Sequence, residues 1–176
     1  MALIQTVAHD QAEGDTKEAF DTLKGMIGVV PTPIKMASAS PALLSIMWQS
    51  LKYFTQHPNL SFPLLSTIRF LVARKYDYVY CTDFNKNFLL QQGMSEDDID
   101  QIIRDPEQAP LEDKDRAMLG FVMKAIQTPE AVALEDMDRL HAFGWTDTDI
   151  LDALAHGTNM IGASIMMKAF KMDQAC

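Results

Sequence analysis

Cys81 is the residue whose type and spacing most directly suggest chemistry. On a helix, Tyr78 would lie about one turn before it and Asn85 about one turn after it, on the same face. Reduction of a peroxide by a thiol starts from the thiolate, needs a base to move the proton, and is completed when a second thiol closes a disulfide. A tyrosine phenol can donate a hydrogen bond but cannot form a disulfide, and Asn85 is no base near neutral pH. With no base and no second thiol on this face, these residues predict a weakly activated thiol at Cys81.

His156 is a further candidate for the same site, and Arg69 and Arg74 are candidates for binding an anionic ligand. His156 shares a face of the last predicted helix with Asn159 and Met160, and it could supply the missing base. The alternative is a hydrogen-bonded core or interface histidine. Arg69 is a candidate anchor for an anionic ligand, although arginines on long helices commonly pair with acids or solvent.

A second hypothesis is binding without catalysis. Phe84 and Phe88, with Tyr78 and some of the 12 methionines, would line a pocket for a small apolar or aromatic molecule. The alternative is that the methionines only fill the core. On this hypothesis the partner is a small molecule, and a peroxide substrate is not required.

Composition excludes several classes of function. The chain has 176 residues, 48% of them apolar, which fits one globular domain over residues 1–176. Its net charge of −9 argues against nucleic acid and against an anionic membrane surface. No apolar run is long enough to span a membrane and no signal peptide precedes the domain, so a cytoplasmic location is expected.

The cysteines and histidines do not suggest a metal or another cofactor. There is no CxxC, no HExxH and no Cys/His cluster with metal-site spacing, so neither a metal nor a cofactor is predicted. Cys176, the last residue, could in principle reach Cys81 of another subunit; a solvent-exposed reduced thiol is the alternative.

Helical periodicity dominates, and no alternating strand pattern is present. Glycine and proline stops, with Ser/Thr starts, predict an all-α domain of about seven helices. A short internal echo supports two of the boundaries, because Gly93-Met-Ser95 and Gly144-Trp-Thr146 are each followed by an acid three residues after the hydroxyl. The predicted helices cover Asp15 to Gly28, Pro41 onward, Ser61 to Gly93, Ser95 onward, Asp113 to Gln127, Thr128 to Gly144, and Thr146 toward Lys171.

The ordered series of motifs resembles the carboxymuconolactone decarboxylase and alkylhydroperoxidase D-like superfamily, in its peroxidase-related branch. The resemblance rests on Gly28-Val-Val-Pro31, Ser40-Pro41-Ala-Leu-Leu, Gly93-Met-Ser95-Glu-Asp-Asp-Ile99 and His156-Gly-Thr-Asn159. It implies an alkylhydroperoxidase D-like helical fold, an antioxidant role and assembly into a homo-oligomer.

The resemblance also implies a degraded reaction centre, with at most weak peroxide reduction through Cys81 that is resolved by an external thiol. Peroxidase members carry E-x(11)-C-x-x-C-x-x-x-H, and Cys81 matches the second cysteine, which attacks the peroxide. Tyr78 stands where the first cysteine would be, Asn85 where the histidine would be, and Ser66 where the glutamate would be. A cofactor-free decarboxylase or isomerase is a third hypothesis, for which His156 is the obvious base.

Overall fold

The computed structural model describes residues 2–173, which form nine α-helices and three short 3₁₀ helices, with no strand in that range. The all-α prediction is confirmed, and the predicted number of about seven helices is corrected to nine. The α-helices are α1 Gly14–Ile27, α2 Thr32–Ala37, α3 Pro41–Thr55, α4 Phe62–Lys75, α5 Val79–Gln91, α6 Glu96–Arg104, α7 Asp113–Gln127, α8 Leu134–Ala142 and α9 Asp147–Ala169. The 3₁₀ helices are His9–Gln11, Pro106–Gln108 and Pro129–Ala131.

The long helix predicted from Ser61 to Gly93 is instead two helices, α4 and α5. Asp77 adopts a left-handed φ of 53° between them. The Tyr78 N–H donates to the Ala73 carbonyl at 2.9 Å and the Asp77 N–H to the Arg74 carbonyl at 3.2 Å, which is a Schellman motif. Such a stop normally carries glycine, and aspartate also tolerates the left-handed region, so the sequence lacks the usual signal.

The other differences are smaller. The short helix α2 lies in the segment between the first two predicted helices. The helix expected from Thr128 begins with the 3₁₀ turn Pro129–Ala131, and α8 starts only at Leu134. The split of the long helix and the presence of α2 account for the rise from seven helices to nine.

The two echoed helix starts are confirmed. The Ser95 hydroxyl accepts from the Asp98 N–H at 3.1 Å, and the Asp98 carboxylate accepts from the Ser95 N–H at 2.8 Å. Thr146 and Asp149 make the same reciprocal pair, at 3.2 and 2.9 Å. Each pair is a capping box that satisfies two backbone donors at a helix start.

The chain divides into two compact units. The first unit contains the residues up to Gln56 and those from Ala163 onward, and the second unit runs from His57 to Gly162. In the first unit α1 and α2 pack against α3. Its core consists of Ala12, Ala19, Phe20, Leu23, Val30, Ile34, Ala37, Leu44 and Trp48.

In the second unit, α4 is the central helix and packs against both α5 and α7. Its sequence is apolar around most of its circumference, as expected of a helix that is covered by neighbours on several sides. Nine α4 residues are buried: Leu64, Leu65, Ser66, Thr67, Ile68, Phe70, Leu71, Val72 and Ala73. None of the helices within residues 2–173 combines the length and apolar character needed to cross a bilayer.

Candidate functional site

The guanidinium group of Arg69, on α4, lies at the centre of the candidate site. Its Nε donates to Asn85 Oδ1 at 2.8 Å and its Nη2 donates to Ser66 Oγ at 3.0 Å. Its Nη1 donates to His156 Nε2 at 2.9 Å. We call these four residues the Arg69 cluster; three helices of the second unit supply them.

The Arg69 cluster contains a cation but no anion. All three acceptors are neutral groups, and within residues 2–173 no carboxylate pairs with Arg69. The side chain is partly buried, and this desolvation lowers the pKa of Arg69 to about 10. The guanidinium therefore stays protonated at neutral pH, and none of its three hydrogen-bond partners carries a negative charge.

The contacts of His156 fix its protonation state. A guanidinium only donates hydrogen bonds, so His156 Nε2 must accept and the ring proton lies on Nδ1. The backbone carbonyl of Leu65 accepts a hydrogen bond from this ring. Burial, and next the positive charge of Arg69, lower the pKa of His156 to about 3. The imidazole is thus neutral at physiological pH and too weakly basic to take a proton from a thiol.

Gly157 allows α9 to approach α4 closely enough for this contact. A Cβ atom at this position would lie 2.8 Å from Ile126 Cδ1, 3.2 Å from Val122 Cγ1 and 3.3 Å from Ile68 Cγ2. The absence of a side chain therefore sets the spacing between α9 and the helices α4 and α7. His156, the preceding residue, reaches Arg69 because of that spacing.

Cys81 lies in the first turn of α5, since the helix begins at Val79. The break at Asp77 thus moves the thiol from the middle of a long helix to a helix start, where the helix dipole favours a thiolate. Burial acts in the opposite direction, because only 5% of Cys81 is exposed. The residue forms no disulfide with any described residue, and Cys176 lies outside the described part of the chain.

Asn85 connects Cys81 to the Arg69 cluster. Its side-chain amide donates to the Cys81 carbonyl at 2.7 Å, while its Oδ1 accepts from Arg69. Both ends of the amide are therefore engaged, and its orientation is fixed. Asn85 is 2% exposed and serves as a rigid link between α4 and α5.

Tyr78 is buried beside Cys81, and its ring stacks on Tyr76 with centroids 6.0 Å apart. Burial raises the pKa of Tyr78, and repulsion from Tyr76 and Cys81 adds to that rise. The phenol keeps its proton at neutral pH and can act only as a weak hydrogen-bond partner.

Phe84 and Phe88 are partly exposed and lie in a row of aromatic side chains. Their ring centroids are 5.0 Å apart; Phe88 also meets Phe62 at 6.1 Å, and Phe84 stacks on Tyr80 at 5.8 Å. We call these four residues the aromatic ridge. Phe62 is 45% exposed, and its ring centroid lies 5.8 Å from Arg69 Cζ. The ridge therefore begins beside the Arg69 cluster and continues along α5.

The sequence analysis names all four members of the Arg69 cluster, with Ser66, Asn85 and His156 assigned to the site of Cys81 and Arg69 assigned to ligand binding. It missed that Arg69 is the residue that joins them. The available signal was the spacing of Ser66 and Arg69, three residues apart on one helix, which predicts neighbouring side chains.

Comparison with known proteins identifies the fold of the chain. No protein-family model matches the chain, and no curated protein matches it in sequence. The chain is similar in structure to an uncharacterized peroxidase-related protein from Silicibacter sp. TM1040, with a TM-score of 0.80 at 19% identity, covering 97% of this chain and 90% of that one. It is also similar to an uncharacterized peroxidase-related protein from Ralstonia eutropha JMP134, described as an alkylhydroperoxidase AhpD core, with a TM-score of 0.81 at 17% identity and the same coverage.

The chain has the alkylhydroperoxidase D-like helical fold. The fold expected from the motif series is thereby confirmed. At these identities the similarity concerns architecture, and the chemistry has to be argued from the side chains.

Proposed function

We propose that this protein binds a small molecule at the Arg69 cluster and is not an efficient thiol peroxidase. The observation that carries the proposal is the set of contacts around Arg69. Ser66 and Asn85 stand where the resemblance would place a catalytic acid and histidine, and both are hydrogen-bonded to a guanidinium. A proton relay is thus replaced by a fixed cation held by neutral groups.

A second candidate function is weak peroxide reduction by Cys81 alone. Its support is the position of Cys81 in the first turn of α5, where a thiolate is favoured. The thiolate would attack one peroxide oxygen to give a sulfenic acid, and the other oxygen would leave as an alkoxide that takes a proton from water. An external thiol would then displace hydroxide from the sulfenic sulfur, and a second thiol would reduce the mixed disulfide.

A cofactor-free decarboxylase or isomerase receives no support from the site. That reaction needs a base, and its only candidate was His156. Burial and the neighbouring Arg69 lower the pKa of His156 to about 3, so that it is a poor base at neutral pH.

Assembly into a homo-oligomer remains part of the proposal. The Tyr80 and Phe84 end of the aromatic ridge supports it, because these two stacked rings present a partly exposed apolar surface on α5, at the opposite end of the ridge from Phe62. Contiguous apolar surface of this kind commonly marks a contact with another protein.

The test is peroxide consumption by the reduced full-length protein, with hydrogen peroxide or cumene hydroperoxide as substrate and dithiothreitol as the external thiol. A peroxidase that lacks its general acid–base group typically loses about 100-fold or more in rate. We therefore expect wild-type turnover to be slow and to lie within about tenfold of that of a Cys81→Ser variant. A Cys176→Ser variant controls for the terminal thiol. Rapid turnover that disappears only in Cys81→Ser would contradict the proposal.

A further inference from the structure

The guanidinium of Arg69 has more hydrogen-bond donors than the Arg69 cluster uses. It carries five N–H groups, and three of them are used by Asn85, His156 and Ser66. The other two take part in none of the hydrogen bonds within residues 2–173 that hold the Arg69 cluster together, and they can donate to a ligand. The three contacts also hold the planar group in one orientation, so little side-chain entropy is left to lose when something binds.

The charge of Arg69 defines the chemistry of that ligand. A partly buried cation surrounded by neutral acceptors is most favourable when an anion completes its environment. Within residues 2–173 no acidic side chain fulfils this role for Arg69. Arg69 is the one charged member of the Arg69 cluster, so the cluster offers a single positive charge, which matches a monoanion better than a phosphate dianion.

The neighbouring surface adds an apolar component. Phe62 lies against the guanidinium, with its ring centroid 5.8 Å from Arg69 Cζ, and Phe62 contacts Phe88. Both side chains are partly exposed, so a molecule at the surface can reach them. A ligand whose charged group binds Arg69 would place its apolar part on Phe62 and Phe88, the end of the aromatic ridge beside the Arg69 cluster.

We propose that Arg69 binds the carboxylate of a small organic acid whose apolar or aromatic body packs on Phe62 and Phe88. Guanidinium and carboxylate have matching planar geometry, and two N–H groups are enough for a bidentate pair. This inference rests on the proposed small-molecule-binding function and specifies its ligand class.

The experiment is isothermal titration calorimetry of the full-length protein with three carboxylates, namely acetate, benzoate and decanoate, at constant ionic strength. Benzamide and decanamide are the neutral counterparts, and inorganic phosphate tests for a general anion site. We expect one benzoate or decanoate per chain, with affinity at least about tenfold above the matching amide, because a charged hydrogen bond is lost in the amide. Acetate, which lacks the apolar body, is expected to bind more weakly than benzoate.

Substitutions of Arg69 and Arg74 locate the binding site. Arg69→Met removes the cation while keeping a long side chain, and we expect carboxylate affinity to fall at least about tenfold. Arg74→Met is the matched control, since Arg74 is exposed on the same helix, and it should bind as the wild type does. If Arg69→Met does not fold, Arg69→Lys keeps the charge but loses the planar fork and should bind carboxylates less tightly than the wild type.

The outcomes separate this inference from the function on which it rests. Equal affinity for benzoate and benzamide, or full affinity in Arg69→Met, would overturn the carboxylate site while leaving a small-molecule-binding protein. Tighter binding of phosphate than of any carboxylate would also overturn it. Failure of every probe to bind, together with rapid peroxide turnover through Cys81, would overturn both.

Discussion

At the scale of single residues, the site is defined by the effect of Arg69 on the protonation of His156 and the orientation of Asn85. Because the guanidinium can only donate, His156 is held as a neutral acceptor, and the Asn85 amide is held in one orientation. His156, which could otherwise act as a base, is thereby held as a hydrogen-bond acceptor for Arg69.

The protonation of His156 leads to a prediction about acid stability. Its ordinary pKa is 6.5, and burial together with Arg69 lowers that value to about 3 in the folded protein. Below about pH 6.5 the unfolded chain binds a proton that the folded chain does not, so the free energy of unfolding falls as pH falls toward 3. We expect this group alone to remove on the order of 1 kcal/mol between about pH 7.5 and pH 5.5, as measured by urea denaturation.

The His156→Gln variant isolates that effect, because glutamine can still accept from Arg69 but does not titrate. It should lose less stability than the wild type over the same pH interval. Asn159→Gln is the control, because Asn159 is exposed on the same helix and the change alters no titrating group, so this variant should follow the wild-type profile. Parallel profiles for the wild type and His156→Gln would show that the imidazole is not held neutral.

At the scale of elements, two helix features position the site. The Schellman stop at Asp77 separates α4 from α5 and places Cys81 in a first turn. Gly157 sets the approach of α9 to α4 and α7, and so determines whether His156 reaches Arg69. Asp77 and Gly157 are not members of the Arg69 cluster, yet they determine which side chains come into contact in the site.

Gly157→Ala tests the role of this close approach. Its Cβ would lie 3.2 and 3.3 Å from branched carbons of Val122 and Ile68, which have little freedom to move, besides the 2.8 Å approach to Ile126 Cδ1. We expect the free energy of unfolding to fall by about 1–2 kcal/mol, since overpacking costs more than the gain in helix propensity. The measurement is urea denaturation followed by circular dichroism.

Gly162→Ala is the control in the same helix. A Cβ there meets nothing within 4 Å, so only the gain in helix propensity remains. We expect stability to stay unchanged or to rise by up to about 1 kcal/mol. Equal effects at the two glycines would mean that α9 does not depend on the close contact at Gly157.

At the scale of the whole molecule, net charge and exposed apolar surface act against each other. A net charge of −9 makes copies of the chain repel one another. Association therefore requires apolar contacts strong enough to outweigh that repulsion, and the aromatic ridge is a surface of the right kind. Added salt, which screens the repulsion, should favour the assembled state.

We expect the wild-type protein to be a homo-oligomer when its molar mass is measured by light scattering after size-exclusion chromatography. Phe84→Asp, in the middle of the aromatic ridge, should shift the protein toward smaller species, since it places a charge in an apolar contact. Leu134→Asp is the matched control, because Leu134 is 72% exposed on α8, away from the ridge. A monomeric wild type, or the same dissociation in both variants, would refute this prediction.

Much of the fold follows from local sequence signals. Helix starts at Ser95 and Thr146 and helix ends at Gly28, Gly93 and Gly144 depend on capping hydrogen bonds within a few residues, so the sequence predicts them directly. The left-handed stop at Asp77 is equally local, but aspartate is a weaker marker than glycine, and the break between α4 and α5 was missed for that reason.

The sequence by itself determined the helical class, most helix boundaries and the residue types available for chemistry, because these depend on periodicity and on contacts between near neighbours. Only the tertiary structure decided that Arg69 meets Asn85 and His156, which are 16 and 87 residues away along the chain. It also decided that His156 is neutral, since the pKa of a buried group is set by its surroundings in space and not by its neighbours in sequence.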